Sequence, residues 1–121
     1  MFINLSNHPS DRWGEKQRQY ANDLGGELKD IPFPHINAQA TTHDILKLAR
    51  EYFTQVKKMA DGETVVVHLM GEMTFTHALV RFLQKNDIRC VASTTERIVE
   101  EQDGKKIVQF NFIQFRDYPN I

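Results

Sequence analysis

Residues 64–70 read TVVVHLM, a nearly unbroken run of β-branched and apolar side chains. A strand with one wet face alternates polar and apolar residues, whereas an uninterrupted run is covered on both faces. Such a strand belongs inside a parallel sheet with helices above and below it. The chain supplies those helices. After Thr41 or Thr42, the residues Ile45, Leu48, Ala49, Tyr52, Val56 and Met59 form an apolar stripe of four turns. Phe75, Leu79, Phe82 and Leu83 form a second stripe after GEMT (71–74), and Trp13, Tyr20, Ala21 and Leu24 a third. The third is expected to start from a cap at Ser10 and to end at Gly25 and Gly26. FINL (2–5), ELKDI (27–31) and IRCVA (88–92) read as further strands, and the prolines of PFPHI end the second of them.

Strands that alternate with helices imply a parallel sheet with right-handed crossovers. The order of elements predicts an α/β fold, a small Rossmann-like three-layer domain with sheet order 2-1-3-4. At the end, RIVEEQ and KKIVQFNFIQF flank Asp103-Gly104, the strongest short signal for a hairpin. That hairpin, over residues 97–118, is expected to lie antiparallel at an edge. With 121 residues, the whole span 1–121 forms one domain.

Composition narrows the function. A net charge of −1 gives duplex DNA no bulk electrostatic attraction, so no duplex DNA partner is expected. No apolar run reaches the roughly 20 residues that cross a bilayer, and no basic-then-apolar leader opens the chain. The single cysteine, Cys90, forms no internal disulfide and suits a reducing, cytoplasmic setting. His35, His43, His68 and His77 are scattered without metal-ligand spacing, so neither a metal nor a cofactor is expected. His68, inside the apolar run, reads as a satisfied core histidine, and Cys90 as an inert buried thiol.

In an open α/β sheet, ligands sit outside the carboxyl ends of the strands, where strand order reverses. Three polar segments are expected to meet there: SNHPSDR (6–12), MGEMTFT (70–76) and STTER (93–97). In the first, Ser6, Asn7, His8 and Ser10 face a helix start, whose free backbone donors favour an anion. Arg12 adds a positive charge to that first turn. In the second, Gly71 allows close backbone approach, and Thr74 or Thr76 is placed to cap the helix or bind a phosphate oxygen. Glu72 suits a ribose hydroxyl, a base amino group or a pairing with Arg97. In the third, Ser93, Thr94 and Thr95 offer hydroxyls, and Arg97 a guanidinium fork suited to phosphate. The plain alternatives are a helix cap at Ser10, a turn at 93–95, and an ion pair of Arg97 with Glu96 or Glu100.

FINLSNHP at the start, GEMTFTHALV, VASTTERIVEE and the closing FNFIQFRDY together resemble small CRISPR-associated proteins with a Rossmann-like core. They are similar to CARF domains and stand-alone ring nucleases. Proteins of that kind bind cyclic oligoadenylates across a dimer's two-fold axis, at the carboxyl ends of their strands. Ring nucleases cut these rings without a metal, using the 2′-hydroxyl of the substrate as nucleophile. The resemblance implies that Ser6 and Asn7 hold phosphate or ribose and that His8 or Arg97 stabilises the developing charge. It also implies that Gly71 and Thr74 line the pocket.

The closing hairpin bears on assembly. Val108, Phe110 and Phe112 alternate onto one face, while Ile107, Ile113 and Phe115 load the other. Two apolar faces on an edge ribbon call for a cover, and a second subunit would supply one, giving a homodimer. Two rival functions are a non-catalytic interaction module docking through this hairpin and a small-nucleotide or sugar enzyme using Glu72.

Overall fold

The structure, a computed structural model, describes residues 1–121. Its elements run β1 (Phe2–Ser6), α1 (Glu15–Gly25), β2 (Leu28–Asp30), α2 (Thr42–Ala60), β3 (Val66–Met70), α3 (Met73–Gln84), β4 (Arg89–Gln102) and β5 (Lys105–Asp117). The five strands form one sheet in the order β2-β1-β3-β4-β5. The first four are parallel, and β5 pairs antiparallel with β4. The expected order 2-1-3-4 and the edge hairpin are both present.

Two apolar layers sandwich the sheet. On one side, α2 and α3 pack Ile45, Ala49, Val56, Phe75, Leu79 and Leu83 against Ile3, Leu5, Val67 and Leu69. On the other, α1 covers a smaller cluster of Phe2, Trp13, Ala21, Val66 and Val91. All five residues of β1 are buried, as is β3 from Val66 to Leu69. No helix is long and apolar enough to cross a membrane.

Local chemistry sets the boundaries. Thr41 and Asp44 form a reciprocal capping box at the start of α2, and Asp61 closes that helix in the left-handed conformation. Ser10, however, does not cap α1. Residues Ser10–Arg12 make a short 3-10 turn, the helix starts at Glu15, and the Ser10 hydroxyl donates to Asp30 Oδ2 at 2.9 Å. At the hairpin turn, Asp103 and Gly104 both take positive φ (52° and 76°), the geometry that follows the twist of the flanking strands.

The largest departure is in β4. Residues 93–97 are not a loop, because β4 runs continuously from Arg89 to Gln102 and β5 pairs with it along most of that length. Thr is β-branched and sits well in a strand once a partner lies opposite. The hairpin therefore begins at Arg89 rather than 97. β3 pairs with β4 only as far as Val91, so the distal hairpin projects beyond the parallel sheet. At ~3.3 Å per residue, the stretch from Ser93 to Gln102 extends roughly 30 Å. A bulge interrupts the ladder: Thr95 pairs with Phe112 and Thr94 with Gln114, leaving Ile113 extra. The extra residue returns Phe115 to the face of Phe112, with ring centroids 4.9 Å apart. Phe115 therefore joins the α1-side cluster and does not load the opposite face.

Candidate functional site

The polar segment after β1 is organised by Asn4, a buried amide in the strand itself. Its Nδ2 donates to the His8 carbonyl at 2.9 Å and to Asp30 Oδ1 at 3.0 Å. Its Oδ1 accepts from Ser6 Oγ at 2.7 Å and lies 2.8 Å from His68 Nδ1. Trp13 Nε1 also donates to the His8 carbonyl, and the Ser10 backbone and hydroxyl both donate to Asp30. This network fixes residues 6–13 against the ends of β1, β2 and β3. The His8 and Arg12 side chains are left exposed.

These two side chains border a recess of about 400 Å³ on the α1 side of the sheet, lined by His8, Arg12, Trp13, Gln17, His68, Ser93, Thr95 and Phe110. Ser93 and Thr95 reach it because alternate residues of a strand share a face. Arg97, the next residue on that face, pairs in the ladder with Phe110 at the rim of the recess. It forms no ion pair with Glu72, Glu96 or Glu100; the ion pairs present are Lys29–Glu27 and Arg89–Asp117. Thr94 points the other way, and its hydroxyl donates to the Gln114 carbonyl.

Not all three segments meet in this recess. Ser6 and Asn7 line a neighbouring notch of about 450 Å³ with Asp30 and residues 31–35. The MGEMTFT segment turns to the α3 side. There Glu72, rather than Thr74 or Thr76, caps α3: its carboxylate accepts from the Thr74 and Phe75 amides and from the Thr74 hydroxyl. Those bonds, that of the Thr74 side chain first, hold Glu72 below its ordinary range. A carboxylate engaged on both oxygens in this way is poorly suited to acid–base work, which weakens the sugar-enzyme reading. Gly71 is small for the sake of the protein's own packing. A Cβ there would lie 2.2 Å from the Phe33 ring, so the close approach is by an aromatic side chain. Thus His8, Arg12, Ser93 and Thr95 share one recess, with Arg97 on the same strand face. Ser6, Asn7 and Ser10 belong to the framework beside it, and Gly71, Glu72 and Thr74 belong to the helix start of α3.

His68 is the residue that the sequence assigns to the core and the structure places at the recess. It lies among the recess-lining residues, although it is only 1% exposed. Burial first, and the nearby His8 second, lower it to about 4, so the imidazole is neutral at pH 7. Its Nε2 has no hydrogen-bond partner, so it is not the fully satisfied core histidine expected. Cys90 is buried, and burial followed by the nearby Asp117 raises its thiol to about 12. No group of three or more His, Cys, Asp or Glu side chains is placed to hold a metal ion.

A family model described as Uncharacterized protein MJ1673 family matches residues 1–116. The chain belongs to that family. The match takes in the whole β1–α1 junction, β4 and nearly all of β5, so the recess lies inside the family's matched span. No curated protein and no solved structure matches the chain.

Proposed function

We propose that the α1-side recess binds a nucleotide, specifically a cyclic oligoadenylate of the kind handled by the CRISPR-associated proteins that the sequence resembles. The observation that carries this reading is the gathering of His8 and Arg12 with Ser93, Thr95 and an exposed aromatic, Phe110, around one cavity. Arg12 and Arg97 provide guanidinium forks for phosphate oxygens, and the hydroxyls provide donors for phosphate or ribose. Phe110, at 66% exposure, offers a face on which a base can stack. A homodimer that brings two recesses together doubles every cation around a shared ring. In the cleaving version, a ribose 2′-hydroxyl loses its proton to water as its oxygen attacks the adjacent phosphorus, and the 5′-oxygen leaves and takes up a proton from water, giving a 2′,3′-cyclic phosphate and a 5′-hydroxyl. His8 or Arg97 then stabilises the charge on the phosphoryl oxygens, with positioning as the main contribution.

Calorimetry with cyclic tri-, tetra- and hexa-adenylate tests binding, and chromatography of the same mixtures tests cleavage. Heat with at least one ring size, abolished in an Arg12→Ala/Arg97→Ala double variant, supports the reading. Absence of heat with all three contradicts it.

A second reading is favoured by a separate observation. Val99, Val108 and Phe110, at 52%, 42% and 66% exposure, share one face of the projecting hairpin. In that reading, the hairpin is a docking ribbon and the sheet its scaffold, with no catalysis.

A further inference from the structure

His68 sits in the middle of the sheet with one ring nitrogen engaged and the other idle. The engagement fixes which is which. Both Nδ2 hydrogens of Asn4 are committed, to the His8 carbonyl and to Asp30, so its Oδ1 is the atom that faces His68. An amide oxygen only accepts, so the proton of the neutral imidazole resides on Nδ1. Nε2 therefore carries a lone pair and no hydrogen. The ring cannot turn away, because Phe2 stacks on it at 6.3 Å and Trp13 and Phe115 close on it edge-on at 5.4 and 5.3 Å. A buried acceptor without a donor is destabilising, and a phenylalanine at this position would avoid that cost. The chain instead maintains a polar network of Asn4, Ser6, Asp30 and Ser10 whose effect is to hold this tautomer.

We propose that His68 is a specificity-determining acceptor: Nε2 takes a hydrogen bond from a hydroxyl of an anionic ligand whose charge is held by His8 and Arg12. The inference rests on the nucleotide reading and sharpens it to ribonucleotides as against deoxyribonucleotides. Two chemical facts favour a hydroxyl. His68 shares a small recess with the anion-holding side chains, so the donor it meets must lie next to the phosphate. In a nucleotide, the ribose hydroxyls adjoin the phosphate, whereas the adenine amino group lies at the far end of the molecule. A site built around an acceptor for a hydroxyl also discriminates well against the analogue that lacks it, because the buried nitrogen is then left unpaired.

The test is nitrogen-15 NMR of histidine-labelled full-length protein, alone and with cyclic tetra-adenylate or its all-2′-deoxy counterpart. The free protein is expected to show His68 protonated on Nδ1. The ribose ring should shift the His68 Nε2 resonance, while the deoxy ring should leave it in place and bind about ten-fold more weakly. In His68→Phe, which keeps an aromatic ring in the stack, the two rings should bind equally. Protonation of free His68 on Nε2 overturns the proposal whatever the ligand does. Ribose-ring binding with an unmoved His68 overturns it and leaves the nucleotide reading intact. No binding of either ring removes both. The measurements on unaltered protein stand even where the phenylalanine variant does not fold.

Discussion

Burial keeps both His68 and Cys90 uncharged, and for His68 the consequence is measurable. Its folded value of about 4 lies below the ordinary 6.5, so between these values the unfolded chain binds a proton that the folded chain does not. Stability is then complete above about pH 6.5 and falls as the pH drops towards 4, with a total loss of about 3 kcal/mol. About 2 kcal/mol of this is expected between pH 7 and pH 5. Urea unfolding at the two pH values should show it in the natural chain, and His68→Phe should flatten the slope. Identical slopes in the two proteins would mean that His68 titrates normally. At Gly71 the constraint is steric, since the Phe33 ring occupies the space that a side chain would need. Neither residue discloses its role along the chain. His68 depends on Asn4, 64 positions away, and Gly71 on Phe33, which the sequence presents only as part of a proline-rich strand stop.

At the level of elements, the ends of helices and strands explain most of the differences between sequence and structure. Glu72 satisfies two amides of the first turn of α3, so Glu72→Ala should destabilise the fold by about 1 kcal/mol, measured by denaturant midpoint. An unchanged midpoint would deny the carboxylate a capping role. The existence, type and order of the elements were legible because the apolar periods are long and unambiguous, as in residues 45–59 and 64–70. The Asp103-Gly104 turn was equally plain. The start of α1 was not, because the hydroxyl of Ser10 is drawn to Asp30 across the chain instead of to its own helix. Ser93–Arg97 read as a loop because a hydroxyl-rich run looks like a turn until β5 is placed opposite it. The face of Phe115 could not be read from alternation alone, because one extra residue, Ile113, reverses the count. Of the candidate site, the two polar segments on the α1 side were visible as clusters. Their separation from the α3 segment depended on which face each strand presents.

Across the whole molecule, the projecting hairpin joins the recess to the question of assembly. Phe110 lines the cavity and belongs to the exposed face that holds Val99 and Val108. A second copy covering that face would place its own cations near the same ring. Val108→Lys is the informative change, because Val108 is exposed, whereas Phe115 is packed against Phe2 and Trp13 and altering it would disturb the core. Sedimentation should show a dimer for the natural chain and a monomer for Val108→Lys. A natural chain that sediments as a monomer at tens of micromolar would remove the shared-ring arrangement while leaving a single recess able to bind. The opposite side of the sheet carries a larger groove of about 580 Å³ between α3 and Tyr118–Ile121, including His77 and Arg81, and it serves as an internal control. The decisive property is a concave surface, formed by the segment after β1 together with β3 and β4, that we propose receives negative charge. Mapping backbone amide shifts on addition of cyclic tetra-adenylate tests it most directly. The account predicts that the largest changes fall at His8, Arg12, Ser93, Thr95 and Phe110. Changes centred on Thr76, His77 and Arg81, or no changes at all, would contradict it.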